Sequence, residues 1–155
     1  MLNFFQQNIK QSIFTVFMGK KVIVAEDNLA DVELTKMAFR ELDYPLEVVH
    51  VIDGQELLNY VKSDSLQDIV LILLDLNMPR LGGVDVLKTF YSDAEFKKLP
   101  VIVFSSSAHE TDVKACYDFG ANAYVCKPIG IHDFNKTIRT IAEFWVDVNV
   151  LPEFN

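Results

Sequence analysis

The stretch VLILLDLNMPRLGG, at residues 70–83, carries the strongest indication of the fold. It runs apolar for five residues, reaches Asp75, and then breaks at Pro79 and at the pair Gly82 and Gly83. A short apolar run bounded by turn residues is typical of a strand that is buried on both faces. A carboxylate at the end of such a strand is costly to desolvate unless a neighbour compensates its charge. Asp75 therefore predicts a site at this strand end.

Similar apolar runs recur from Lys20 onwards and alternate with helical periods. The runs predict strands at residues 22–25, 46–51, 69–74, 101–104 and 123–125. Between these runs, apolar residues at helical spacing predict five helices. The five apolar stripes are Leu34, Met37, Ala38 and Leu42; Leu57, Leu58 and Val61; Val84, Val86, Leu87 and Phe90; Val113, Cys116 and Tyr117; and Phe134, Ile138, Ile141 and Trp145. Five β–α units in this order imply right-handed crossovers and a doubly wound, five-stranded parallel sheet of the α/β class.

The length of 155 residues predicts one folded domain, which we assign to residues 19–146, followed by a tail at 147–155. Residues 1–18 precede this domain as an extension, for which the sequence allows two interpretations. Phe5, Ile9, Ile13 and Phe17 fall at helical spacing and allow a short amphipathic helix. Alternatively, translation begins at Met18 and leads straight into the first strand. The extension is too interrupted by polar residues for a signal peptide or a membrane span.

Charge and cysteine content exclude several classes of protein. The formal net charge of −8 repels phosphate backbones and argues against a nucleic-acid partner. The three histidines are scattered and lack the spacing of a zinc site. Two cysteines, Cys116 and Cys126, do not make a disulfide framework, so we expect free thiols in a reducing cytoplasm.

Polar side chains follow four of the predicted strands, at the edge where ligands bind in open α/β sheets. They are Glu26 and Asp27 after the first strand, Asp75 and Asn77 after the third, Ser105 after the fourth and Lys127 at the end of the fifth. Three carboxylates in one place repel one another, and a hard cation such as Mg²⁺ removes the conflict. A carboxylate can accept a phosphoryl group, and Mg²⁺ with a lysine supplies the charge neutralisation that phosphoryl transfer needs.

Four motifs carry a resemblance to a known family: EDN at 26–28, LLDLNMPRLGG at 73–83, PVIVFSSSA at 100–108 and AYVCKP at 123–128. They resemble the signature of CheY-like response regulator receiver domains, which have a flavodoxin-like (βα)5 fold. The resemblance implies that Glu26, Asp27, Asp75 and the backbone carbonyl of Asn77 bind Mg²⁺. It implies that Asp75 is phosphorylated and that Ser105 and Lys127 contact the phosphoryl group. It also implies that Tyr124 changes rotamer with Ser105 on activation, and that the Lys127–Pro128 bond is cis.

Two further segments, NLADVELTKMAF at 28–39 and EFW at 143–145, resemble single-domain, phytochrome-associated response regulators. This similarity implies a phosphorelay in which a histidine kinase, of phytochrome type, or a phosphotransfer protein is the partner. With no output domain predicted, we expect the output to be protein contacts, relay of the phosphoryl group or competition for a partner. Gly82 and Cys126 depart from the usual family residues, but neither takes part in the expected phosphorylation chemistry.

Two other functions are alternative interpretations of the same residues. A metal-dependent aspartyl phosphatase typically has a second aspartate two residues after its nucleophile, where this chain has Asn77, which cannot transfer a proton. A flavodoxin-like electron carrier needs a phosphate loop after the first strand, where Glu26 and Asp27 would repel a flavin phosphate. A phosphoryl-accepting signalling domain, which is not an enzyme with its own substrate, fits best.

The end of the chain predicts an interface. If Phe134, Ile138, Ile141 and Trp145 pack on the sheet, then Phe144, Val148, Val150 and Leu151 are left without a domain to cover them. Exposed apolar residues in this number tend to mark an interaction surface. We therefore expect a homodimer built on the last helix and residues 144–151. The alternative is a tail that folds back over its own helices.

Overall fold

The computed structural model of the chain describes residues 17–42 and 44–151. The predicted helix at the start of the extension, with Phe5, Ile9 and Ile13, lies outside the described residues. Phe17 is described, and it packs against the core beside Tyr44, with the two ring centroids 6.3 Å apart.

One parallel sheet of five strands organises the domain, and it confirms the predicted α/β fold. The strands are β1 (Lys21–Ala25), β2 (Glu47–Val51), β3 (Ile69–Leu74), β4 (Val101–Ser105) and β5 (Ala123–Cys126). Their spatial order is β2-β1-β3-β4-β5, so the direction of winding reverses between β1 and β3. Such a reversal opens a crevice at the carboxyl ends of the two strands. Ala25 pairs with Leu74 across it, which brings the residues that follow each strand side by side.

Helices cover both faces of the sheet. They are α1 (Leu29–Arg40), α2 (Gly54–Ser63), α3 (Gly83–Ser92), α4 (Glu110–Asp118) and α5 (Ile131–Ala142). Two short 3₁₀ turns, Leu66–Asp68 and Phe96–Lys98, precede β3 and β4, and a π-helical segment, Glu143–Val148, continues from α5. Among the described residues, no helix is both long and apolar enough to span a bilayer.

The core is divided by the sheet into two clusters. β3 is buried along its whole length, and Ile72 and Leu74 point into one cluster while Leu71 and Leu73 point into the other. The first cluster contains buried residues of α2, α3 and α4, and the second contains those of α1 and α5. The near-continuous apolar sequence of β3 follows from this, because a central parallel strand has no face in contact with water.

Two helical stripes differ from the prediction. On α1, Met37 is 50% exposed, while Val32, Thr35, Ala38 and Phe39 are buried. On α4, Tyr117 is 52% exposed and only Cys116 is buried. Both helices carry apolar side chains on more than one face, so periodicity alone did not identify the face that meets the sheet.

The chain after α5 partly folds back. The N–H of Asn149 donates to the carbonyl of Phe144 at 2.8 Å and closes the π-helical segment. Trp145 is half-buried and Leu151 packs against the second cluster, so the expectation that Leu151 is uncovered was wrong. Phe144, Val148 and Val150 remain 49%, 67% and 89% exposed.

The expectation of a cis Lys127–Pro128 bond was also wrong, since no peptide bond among the described residues is cis. Trans is the ground state of an X–Pro bond by about 0.5–1 kcal/mol. Lys127 nevertheless keeps its place at the end of β5, because its N–H donates to the carbonyl of Ser105 at 2.9 Å.

Candidate functional site

Three carboxylates meet at the crevice between β1 and β3. Ligand oxygens of Glu26, Asp27 and Asp75 all lie within 4.8 Å of one another. The backbone fixes two of them, because the N–H of Asp75 donates to the carbonyl of Ala25 at 3.0 Å and the N–H of Glu26 donates to that of Val51 at 3.1 Å. Glu26 and Asp75 are only 4% and 6% exposed, whereas Asp27 is exposed to solvent.

Burial raises the pKa of the Glu26 carboxyl above its ordinary value, although Lys127 and the N–H of Asn28 favour its charged form. The Asn28 N–H donates to Glu26 Oε1 at 3.0 Å, and the Asn28 side chain in turn caps the start of α1. A cation in this cluster would relieve the repulsion between the carboxylates. Clustered carboxylate oxygens, one of them open to water, fit the preference of Mg²⁺ for oxygen ligands and retained water molecules.

Lys127 reaches the cluster from the end of β5. Its side chain is 9% exposed, and its ammonium forms ion pairs with Glu26, with Asp31 Oδ2 at 3.0 Å and with Asp75 Oδ2 at 3.6 Å. Burial by itself would lower the pKa of this lysine, but the surrounding carboxylates raise it above its ordinary value. Lys127 therefore stays charged beside Asp75.

Ser105 and Asn77 lie on the elements that flank Asp75. Ser105 is fully buried at the end of β4, and its Oγ accepts from the N–H of Ser107 at 3.4 Å. Asn77 is exposed in the loop after β3, two residues beyond Asp75. The Oδ1 of Asp75 accepts from the N–H of Leu76 at 2.8 Å, which leaves Oδ2 facing Lys127.

The loop after β3 is held close to Asp75 by its glycines. The N–H of Gly83 donates to the carbonyl of Leu76 at 3.0 Å, and a Cβ at Gly83 would lie 2.4 Å from the carbonyl oxygen of Asp75. Only glycine allows this approach of two backbones.

A second anchor of this loop was not predicted from the sequence. Arg80 adopts a left-handed conformation, with φ of 61°, and its guanidinium binds Asp53. Asp53 is fully buried and caps α2 by accepting from the N–H of Glu56 at 2.9 Å. Burial alone would raise the pKa of Asp53, but this N–H and Arg80 keep it below its ordinary value. Nothing in the sequence pointed to this pairing of Arg80 with Asp53.

Tyr124 is hydrogen-bonded to the loop between β4 and α4. It is half-buried, burial raises its pKa, and its hydroxyl donates to the carbonyl of Ser107 at 2.8 Å. The thiol of Cys126 also lies 3.7 Å from this carbonyl, and the Ser107 hydroxyl donates to Asp112 Oδ2 at 2.6 Å. Ser107 thus connects Ser105, Tyr124 and α4, a role that the sequence did not reveal.

The predicted site residues are brought to one edge of the sheet by four different strands. The structure adds Asp31, in the first turn of α1, as a partner of Lys127. In the sequence Asp31 has the appearance of an ordinary acidic residue near a helix N-terminus, where the helix dipole favours negative charge.

A doubly wound sheet with acidic side chains and a lysine at its switch point is the architecture of receiver domains, the small α/β modules of two-component signalling. Residues 22–139 match the response regulator receiver domain family, and the chain belongs to that family.

Several relatives are similar over most of both chains. The response regulator Rcp1 of Synechocystis sp. is 29% identical over 86% of this chain and 93% of its own length. The crystal structure of the phosphorylated cyanobacterial phytochrome response regulator RcpA superposes with a TM-score of 0.82 at 36% identity, covering 86% of this chain and 99% of that one. A response regulator in red light signalling of R. palustris, RPA3017, gives 0.77 at 31% identity, with coverage of 87% and 99%.

Proposed function

We propose that this receiver domain accepts a phosphoryl group on Asp75 in a Mg²⁺-dependent reaction and passes the signal on through protein contacts. The observation that carries the proposal is the pairing of Asp75 Oδ2 with Lys127 at 3.6 Å, within a cluster of three carboxylates. A nucleophilic oxygen, an ammonium for the incoming phosphoryl group and ligands for a divalent cation are thereby present in one crevice.

The roles of the residues follow from their positions. Glu26, Asp27, Asp75 and the backbone carbonyl of Asn77 hold Mg²⁺, which when bound neutralises charge on the cluster and on the phosphoryl oxygens. Asp75 Oδ2 attacks the phosphorus of a phosphohistidine. The P–N bond breaks, its electron pair returns to the imidazole, and the imidazole nitrogen takes a proton from solvent. Lys127 and Ser105 contact the transferred phosphoryl oxygens.

The partner in this proposal is a histidine kinase or a phosphotransfer protein. The similarity to phytochrome response regulators favours a kinase of the phytochrome type. The cysteines Cys116 and Cys126 are free, which suits a reducing compartment, and we place the protein in the cytoplasm. A metal-dependent aspartyl phosphatase is not favoured, because the residue two positions after Asp75 is Asn77.

Switching is proposed to proceed through Ser105 and Tyr124. Ser105 turns its hydroxyl towards the phosphoryl group, and the loop that contains Ser107 follows. Support comes from the hydrogen bonds that Ser107 makes to both residues, through its N–H to Ser105 Oγ and through its carbonyl to Tyr124. The negative charge of a phosphoryl group on Asp75 would then shift the loop between β4 and α4 from one conformation to the other.

Acetyl phosphate with Mg²⁺ tests the phosphorylation site directly. We expect intact mass spectrometry to show one added phosphoryl group that is labile to base in the wild type, and none in Asp75→Asn. Asp85→Asn is the control, since Asp85 is an exposed aspartate on α3 paired with Lys88, and it should be phosphorylated like the wild type. Equal phosphorylation of Asp75→Asn would contradict the assignment.

A further inference from the structure

The ammonium of Lys127 is shared by Glu26, Asp75 and a residue outside the metal cluster. Asp31 Oδ2 lies 3.0 Å from Lys127 Nζ, closer than Asp75 Oδ2 at 3.6 Å. Asp31 is not a member of the group formed by Glu26, Asp27 and Asp75. It reaches the lysine from the first turn of α1, a helix whose buried residues belong to the second core cluster.

Capping of α1 holds Asp31 in place. Its N–H and that of Ala30 donate to the Asn28 side chain at 3.4 and 3.0 Å, which fixes the first turn of α1. The carboxylate is 23% exposed, so its attraction for the lysine is only partly screened by water.

A cation in the cluster changes the balance around Lys127. Its charge would offset those of Glu26 and Asp75, and their attraction for the ammonium would weaken. Asp31 lies outside the cluster and keeps its attraction. The lysine is then drawn towards α1, away from the oxygen that receives the phosphoryl group.

We propose that Asp31 is a positioning residue that holds the Lys127 ammonium back from Asp75 and so limits how tightly a phosphoryl group on Asp75 is bound. The inference rests on the proposed function of Asp75. Asp31 touches neither Asp75 nor the phosphoryl group and acts only through the lysine. Its removal lets Lys127 move fully onto the phosphoryl oxygens, which tightens binding of the group and prolongs its lifetime.

Beryllofluoride, an anion that stands in for the phosphoryl group on a carboxylate, measures this binding at equilibrium. Titration with Mg²⁺ present, followed by ¹⁹F NMR, should give a dissociation constant about three- to tenfold lower for Asp31→Asn than for the wild type. Asp31→Ser, which also removes the charge, should behave in the same way. Asp31→Glu keeps the charge and should restore a value close to that of the wild type.

Glu33→Gln on the same helix is the matched control, because it removes one negative charge without touching Lys127. It separates an effect through the lysine from a general loss of repulsion towards anions. The ¹⁵N resonance of Lys127 Nζ should shift in Asp31→Asn and stay unchanged in Glu33→Gln. A merely structural role of Asp31 would not produce this difference.

The outcomes are distinct for the two proposals. If the wild type binds beryllofluoride and Asp31→Asn binds it equally or more weakly, the role of Asp31 is overturned while phosphorylation of Asp75 stands. An equal gain in Asp31→Asn and Glu33→Gln overturns it too. A wild type that binds no beryllofluoride overturns both proposals.

Discussion

Asp27 is the exposed carboxylate of the cluster and the one that can be changed with least disturbance of the core. In the wild type we expect Mg²⁺ at ten times its dissociation constant to stabilise the fold by about 1.4 kcal/mol. That corresponds to a rise in melting temperature of roughly 3–5 °C. Asp27→Ala should show a smaller rise and, without Mg²⁺, a melting temperature equal to or above that of the wild type, because one of three like charges is gone.

Thermal melts with and without Mg²⁺ provide the measurement. Asp118→Ala, at an exposed aspartate paired with Lys114 on α4, is the control and should retain the full Mg²⁺ response. An Asp27→Ala protein that responds as strongly as the wild type would show that Asp27 does not contribute to a metal site.

Asp64, which lies outside this cluster, should make the stability of the fold depend on pH. Hydrogen bonds from Lys21 and Tyr60 lower the pKa of Asp64 to about 2. Because this pKa is depressed in the folded state, the ion pair contributes its full stability above about pH 4 and loses it as the pH falls towards 2. Asp64→Asn should therefore lower the free energy of unfolding by roughly 1–2 kcal/mol at pH 7, after allowance for partial exposure.

Urea unfolding at pH 7, 4 and 2.5 tests this dependence. The difference between wild type and Asp64→Asn should shrink across the last step. For comparison, Asp118→Asn removes an exposed ion pair and should change stability little at any pH. A constant difference from pH 7 to 2.5 would mean that Asp64 does not titrate as described.

For single residues, the sequence predicted which side chains follow the strands, but it did not predict the long-range ion pairs that involve residues of helices and loops. Asp75 could be placed because a carboxylate interrupts an apolar run, and that signal is local. Asp31 and Lys127 are 96 positions apart, and Arg80 and Asp53 are 27 apart. Such pairs form only once side-chain directions are set by packing, which spacing along the chain does not encode.

Among the elements, the loop between β4 and α4 is where phosphorylation should produce movement. Beryllofluoride should shift the amide resonances of Ser107 and Tyr124, because Ser105 exchanges its contact with the Ser107 N–H for one with the bound anion. In Ser105→Ala the anion should still bind, but the shift at Tyr124 should be lost. Tyr124→Phe removes the hydroxyl bonded to Ser107 and should leave α4 unresponsive.

Two-dimensional ¹⁵N NMR with beryllofluoride measures these shifts. Tyr91→Phe serves as the control, since Tyr91 is 60% exposed on α3 and its ring packs against Phe119. Identical shifts at Tyr124 in wild type and Ser105→Ala would exclude this route of switching.

The sequence largely predicted which segments form helices and strands, but it did not predict which face of each helix is buried. β3 was predicted with its observed bounds, because a fully buried strand reads as a continuous apolar run between turn signals. Met37 and Tyr117 were assigned to buried stripes and are exposed, since an amphipathic pattern tolerates apolar residues on its outer face. The π-helical segment could not be foreseen, because no sequence signature distinguishes it from a further turn of α5.

For the whole molecule, the exposed apolar residues after α5 are proposed as the surface of a homodimer. Phe144 packs edge-on against Trp145 and stays 49% exposed, and Val148 and Val150 continue the patch. Burial of exposed apolar side chains favours association, and aromatic residues are frequent anchors of such interfaces. We expect a dimer at micromolar concentration in light scattering and a monomer for Phe144→Ser, with beryllofluoride tightening the wild-type dimer.

Tyr91→Ser is the control, because Tyr91 is 60% exposed on α3, which packs on the other face of the sheet. This variant should dimerise like the wild type. A wild type that remains monomeric with and without beryllofluoride would end the dimer proposal and leave the phosphorylation proposal unaffected.

The π-helical segment also has a consequence for how this surface can change over evolution. Its hydrogen bonds close over one more residue than those of an α-helix, so the segment behaves as if one residue had been inserted after Ala142. Every side chain beyond it is turned about the axis relative to a regular continuation of α5. Loss of one residue within Glu143–Val148 would therefore let α5 continue as a regular helix and would change which side chains occupy the outward positions of this segment. A change in length by one residue, without any substitution, would suffice to give a descendant of this protein a different outer face.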